Sequence, residues 1–141
     1  MAADLKLLDR TLSRAETMIL STCADGFVTA RPVAPIHADL RIYFRTSASS
    51  RKAQQIAANR NVAITLGDAF QLEGIAYSLG APQDAANAAV MEIYLDKYDN
   101  AFGEADEYLS EDDIFIAIDI RTVRQWVYED GIPVRYEVSE V

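Results

Sequence analysis

The sequence predicts an α+β fold, an antiparallel barrel of six to eight short strands with about three peripheral helices. Three observations carry the prediction. Strand-like runs are short and alternate apolar with polar residues, most regularly at Ile114, Ile116, Ile118 and Ile120. Tight-turn chemistry separates them, at Ala24-Asp25-Gly26, Gly67-Asp68 and Glu129-Asp130-Gly131, and turns of two or three residues join antiparallel neighbours. Helical spacing of apolar residues recurs in only a few segments, which places helices around a sheet rather than between parallel strands.

Leu5, Leu8, Leu12 and Ala15 repeat at helical spacing, so 4–16 reads as an amphipathic helix. Met18 to Cys23 and Phe27 to Ile36 follow as two strands of a hairpin, and Arg41 to Thr46 as the next strand. Ser49 to Asn59 reads as a helix with Ala53, Ile56 and Ala57 on one face and Asn59-Arg60-Asn61 as its stop. Val62 to Leu66 and Phe70 to Leu79 form a second hairpin. Pro82 to Tyr98 reads as a helix, with Pro82 near its start where a missing N–H does no harm. Six acidic residues within Glu104 to Asp113 read as an exposed loop or short helix, because carboxylate runs are usually solvated and calcium-loop spacing is absent. After the isoleucine strand, a last hairpin is expected from Arg124 to Glu137.

A chain of 141 residues, half of them hydrophobic, suits one domain with one core. The longest stretch without a charged side chain, Gly74 to Gln83, is far shorter than the roughly 20 apolar residues that span a bilayer. Charges at Asp4, Lys6, Asp9 and Arg10 occupy the place of a signal peptide's apolar core, and a cytoplasmic protein is expected. Cys23, the single cysteine, is expected to be a buried, inert thiol.

The net charge of −9 argues against nucleic-acid binding, which depends on Lys and Arg neutralising phosphates. Its distribution is uneven: residues 1–66 carry nine basic and five acidic residues, whereas 67–141 carry four and seventeen. Scarce positive charge is thus concentrated in the first half, which permits a local anion site in an acidic protein.

The run from Tyr43 to Ala53 locates that site. A strand ends, Thr46, Ser47, Ser49 and Ser50 cluster, and a helix begins with Arg51 and Lys52 in its first turn. Two cations there oppose the helix dipole unless an anion joins them, bound by free backbone N–H groups, hydroxyls and both side chains. The alternative is that both cations point into water. A second irregularity is Thr29 to Pro35, where Pro32 and Pro35 interrupt a strand-like stretch, so that it belongs at an edge, a bulge or a ligand-lining position. By alternation Thr29, Arg31 and Val33 share one face.

These residues resemble the pyridoxamine 5'-phosphate oxidase-like FMN-binding split barrels, particularly their short general-stress-protein members. The resemblance rests on Arg31-Pro32-Val33, on Tyr43-Phe44-Arg45-Thr46, on Ser50-Arg51-Lys52-Ala53 with Ile56, and on Asn59-Arg60-Asn61-Val62-Ala63. It covers about residues 15–80 well and the remainder weakly. It implies a Greek-key split barrel that binds FMN, with Arg31, Pro32 and Val33 against the flavin ring. Thr46, Ser50, Arg51 and Lys52 would hold its phosphate, with Phe44 and Ser47 in the same site and Trp126 as an aromatic near the flavin. It also implies a homodimer with two flavin sites at its interface, Trp126 and its neighbours Gln125 and Val127 coming from the second chain. True pyridoxamine phosphate oxidases end in an arginine- and histidine-containing segment. Here the chain ends Ile132-Pro133-Val134-Arg135-Tyr136-Glu137-Val138 without histidine, so oxidation of that vitamin is not expected.

An FMN-dependent oxidoreductase, with NAD(P)H as electron donor, is therefore the leading expectation. A non-catalytic flavin-binding stress protein is one alternative; another is heme or a deazaflavin on the same barrel, with His37, the only histidine, as a ligand or proton donor. No residue is singled out as catalytic. Neither a metal site, a membrane span nor a nucleotide-binding loop is expected.

Overall fold

Two residues close the barrel. The sheet runs β2 (Phe27–Val33), β1 (Met18–Ala24), β5 (Asn61–Leu66), β6 (Phe70–Gly80), β7 (Asp113–Glu129), β4 (Arg41–Ser47), β3 (Ile36–Ala38), with every pairing antiparallel. Its end strands, β2 and β3, are consecutive in the chain. Ala34-Pro35 alone joins them, so the sheet has to curl until its two ends meet. The computed structural model describes residues 2–103, 106 and 110–139. β8 (Ile132–Ser139) pairs with the far half of β7, on the edge that β4 leaves free after Asp119.

Prolines sit where the ladder can spare a donor. Pro32 lies in β2, whose outer edge has no partner strand among the described residues, and Pro35 lies in the closing link. The expected single strand Phe27 to Ile36 is therefore two strands, broken at the seam. Conversely, the separate strands expected around Ile114–Ile120 and from Arg124 onward are one strand, β7. It carries neighbours on both edges, with a register shift opposite Glu73 and Gly74. The hairpin turns form as their residues dictate. Asp25 and Gly26 have φ of 52° and 80°, and Asp130 and Gly131 have 51° and 80°, the paired left-handed geometry of a two-residue turn that matches strand twist.

Alternation on each strand sorts the side chains. Leu20, Ile42, Phe44, Ile64, Leu72, Ile116, Ile118 and Val123 fill the barrel and are almost completely excluded from water. Tyr43, Phe115 and Ala117 lie on the opposite face of β4 and β7, covered by α3 (Ala88–Lys97) through Tyr94. α3 is shorter than the helix expected from Pro82, because a single 3-10 turn, Ala85–Asn87, precedes it. α1 (Leu5–Arg14) is capped by Asp4, whose carboxylate accepts from the Leu7 N–H at 3.0 Å, and buries Leu8 and Leu12 against the barrel. His37, on β3, meets Asp9 of α1 at 2.7 Å with its side chain only 11% exposed, so it secures α1 rather than standing free at the surface.

α3 also anchors the seam. The Pro35 carbonyl accepts from Lys97 Nζ and from the Tyr98 hydroxyl, both at 2.8 Å, and Lys97 also donates to the Leu12 carbonyl at 3.0 Å. Burial, with Tyr94 and Glu16 nearby, pushes the Tyr98 phenol up to about 12. An unfolded phenol titrates near 10. Folding thus favours the neutral form, a contribution present below about pH 10 and lost as pH rises through 12. Denaturant midpoints measured across that range should fall more steeply for the native chain than for Tyr98→Phe; parallel curves would remove the role given to this phenol.

The acidic stretch departs from expectation. Asp106 and Asp113 are buried, with side chains 7% and 5% exposed, against Arg45 of β4. Glu104 and Glu107 lie outside the described residues.

Candidate cofactor site

β4 delivers Thr46 and Ser47 to the start of α2 (Arg51–Ala58). Ser50 is the N-cap, in extended conformation, and its Oγ accepts from the Ala53 N–H at 3.3 Å. Thr46 Oγ1 lies 3.1 Å from Ser50 Oγ. The intervening loop is fixed by a residue that sequence reasoning did not pick out, Asp112. Its carboxylate accepts from the Ser47 hydroxyl at 2.6 Å and the Ser49 N–H at 3.1 Å, and its carbonyl from the Ala48 N–H at 2.9 Å. Hydroxyls of Ser110, Ser47 and Ser49 together hold the Asp112 carboxyl well below the ordinary range. Ser47 is thereby committed to Asp112 and Thr46 is buried, 7% exposed, with its hydroxyl against Ser50, so that Ser50 and the cations are the groups most open to a ligand.

Arg51 and Lys52 occupy the first turn of α2, and Arg31 approaches from β2. Burial lowers the pKa of Lys52, and Arg31 lowers it further; burial likewise lowers that of Arg31, with Arg51 adding to the effect. Each cation thus makes a neighbouring charge more costly, and the helix N-terminus adds its own partial positive charge. Arg41, Arg45, Arg124 and Arg135 all face carboxylates. Among the described residues no carboxylate lies within 4.0 Å of Arg31, Arg51 or Lys52. Three uncompensated cations, two hydroxyls and a helix N-terminus converge in an otherwise acidic protein, and that donor set fits a phosphate group.

Arg31 does not extend freely into solvent. Its NH1 donates to Thr22 Oγ1 at 2.8 Å and to the Leu20 carbonyl at 3.3 Å, and its NH2 donates to Thr29 Oγ1. Both threonine hydroxyls meet the Oε1 of Gln55 on α2, at 2.6 and 2.7 Å. Thr22 and Gln55 are buried, and neither was singled out in the sequence: Thr22 read as one more strand residue and Gln55 as one more helix residue. On its other side α2 lines a cleft of about 350 Å³ with Ala53, Ile56 and Ala57 against Ala76 and Tyr77 of β6.

The remaining expected site residues are distributed differently. Pro32 is exposed on the face of β2 opposite Arg31, while Val33 is 8% exposed and belongs to the barrel core. Phe44 is wholly enclosed in that core, because alternation on β4 turns it inward between the outward Tyr43 and Arg45; its side chain does not reach the cation cluster. Trp126 is 43% exposed and lies far along β7 from Asp113, the residue paired with Ser47. At about 3.3 Å per residue that separation is up to roughly 40 Å of strand. One chain does not bring Trp126 to the start of α2.

An antiparallel barrel whose end strands β2 and β3 meet without pairing, with a helix N-terminus and a proline-bearing edge strand, defines the split-barrel class. The sequence model of the pyridoxamine 5'-phosphate oxidase family matches residues 6–127, and the chain belongs to that family. No curated protein matches it. Among solved structures it is similar to General Stress Protein 26 from Bacillus anthracis, with 20% identity, 93% of this chain and 98% of that one covered, and a TM-score of 0.65. It is also similar to a FAD-binding protein from Mesorhizobium loti, at 17% identity, 86% and 92% coverage and a TM-score of 0.62. A heme-binding protein from Mycobacterium smegmatis superposes over 99% of this chain and 60% of its own length, at 16% identity and a TM-score of 0.71. At such identities these likenesses establish the fold, and the split-barrel neighbours include flavin and heme binders.

Proposed function

We propose that the chain is an FMN-binding oxidoreductase, with Arg51, Lys52, Thr46 and Ser50 holding the cofactor's phosphate and Arg31 facing its ring. The observation that carries this reading is the cluster of three cations without carboxylate partners at the start of α2. A phosphate dianion would relieve their mutual repulsion. Bound FMN would supply hydride or electron transfer, while the protein contributes orientation and charge. The unknown redox partner is a small molecule, with NAD(P)H as electron donor. Oxidation of pyridoxamine phosphate is not expected. The protein is taken to act in the cytoplasm; among the described residues no helix is long and apolar enough to cross a membrane.

The working unit is a homodimer, in which each chain's Trp126 completes the other's site. Exposed apolar side chains cluster at the two hairpin ends, Phe27 and Val28 on one and Trp126, Tyr128 and Ile132 on the other, and β2 presents an open edge. Such patches and edges usually meet a partner. Light scattering over a dilution series should report a dimer that FMN strengthens, because a ligand bound by both chains favours the paired state. A monomer that binds FMN stoichiometrically at every concentration would exclude the interface site. For the reaction itself, purified protein loaded with FMN should oxidise NADH or NADPH. A stable flavin complex inert to both would instead favour the flavin-binding stress protein.

A further inference from the structure

We infer that Gln55 is a positioning residue for the flavin ring, acting through Arg31. The inference rests on the flavin reading of the site. Hydrogen-bond polarity in the Arg31 network is fixed by chemistry. A guanidinium only donates, so Thr22 Oγ1 and Thr29 Oγ1 accept from its two terminal nitrogens. Each hydroxyl has one proton left, and each finds Gln55 Oε1, at 2.6 and 2.7 Å. NH2 of Arg31 also reaches that oxygen, at 3.4 Å. Gln55 Nε2 lies on the other side, donating to the Phe27 carbonyl at 3.5 Å, which fixes the orientation of the amide.

One buried oxygen on α2 therefore terminates both hydroxyl relays that hold Arg31 over β1 and β2. Gln55 is 6% exposed and Thr22 1%, so water does not readily replace the missing acceptor. The same helix carries Arg51 and Lys52. Gln55 thus links the phosphate-binding turn to the orientation of a cation on the ring-lining strand. Positive charge held near the ring favours the reduced flavin, which is the more negative form. Without the Gln55 acceptor both hydroxyls are free to turn, and Arg31 loses its fixed direction.

The test is the ratio of affinities for reduced and oxidised FMN, read from the midpoint potential of bound FMN in wild type, Gln55→Met, Arg31→Met and the double variant. Gln55→Met should lower the ratio about tenfold in the wild-type background, close to 30 mV for a two-electron couple. In the Arg31→Met background it should change nothing, the non-additivity expected of residues acting in one chain. A merely structural glutamine would weaken both oxidation states alike, and an unchanged ratio would overturn the inference. An equal shift in both backgrounds would also overturn it, since Gln55 would then act without Arg31. Should Gln55→Met not fold, Gln55→Asn withdraws the same acceptor by one methylene and carries the same comparison. Wild-type protein that fails to bind FMN would remove the flavin reading itself, whereas binding with an unaltered ratio would remove only the role of Gln55.

Discussion

Replacing Arg51 and Lys52 together with alanine is expected to weaken FMN binding by about two to four powers of ten, while riboflavin, which lacks the phosphate, binds as it does to wild type. Each charge-assisted contact to a phosphate contributes about 1.5–3 kcal/mol, and two are removed. The fold should survive. Arg51 is exposed and Lys52 half-buried, neither faces a carboxylate, and their removal relieves repulsion with Arg31. Calorimetric titration of both ligands checks this, and equal loss for FMN and riboflavin would mean that the pair supports the site only indirectly.

Arg45→Met should have the largest effect on stability. Arg45 is 9% exposed, its NH2 donates to Asp106 Oδ1 at 3.1 Å while its NH1 meets Asp106 Oδ2 at 2.5 Å, and its Nε lies 3.9 Å from Asp113. Its guanidinium carbon also sits 4.6 Å from the centre of the Phe102 ring. Methionine fills much of the volume but takes the cation away from two buried carboxylates, to which the Phe102 and Ser110 N–H groups still donate. Breaking a buried pair from one side costs about 3–5 kcal/mol. Urea unfolding of both proteins at neutral pH measures this; a loss below about 1 kcal/mol would show that the network contributes little.

The repeating features of the fold were legible in the sequence because they depend on local chemistry. Alternation at Ile114, Ile116, Ile118 and Ile120 marks a strand wherever it lies, and Asp-Gly turns report their own backbone geometry. The strand breaks were less legible. Whether Pro35 ends a strand or bends one depends on the seam, which exists only once the sheet has curled, and the unbroken course of β7 depends on having partners on both edges.

At the candidate site, the helix start was readable because Ser50, its cap, and Arg51 and Lys52, its first turn, are encoded within a few residues. Gln55 and Asp112 were not, since their partners are long-range: Gln55 meets Thr22 and Thr29 on a different hairpin, and Asp112 meets a serine loop more than sixty residues earlier. Phe44 shows the limit of carrying a motif by position. It sits one residue inside the strand from Arg45, and the pleat alone sends it into the core. The acidic stretch misled for a related reason, because Arg45, the cation that draws Asp106 and Asp113 inward, lies on β4.

Titration of wild-type protein with FMN and riboflavin, each at low and high salt, tests the central claim most directly. The cation cluster predicts that FMN binds at least about a hundredfold more tightly than riboflavin, on the strength of two charge-assisted contacts, and that added salt narrows the difference. Equal affinity for the two flavins, or binding of neither, would contradict the assignment of Arg51 and Lys52 to a flavin phosphate site.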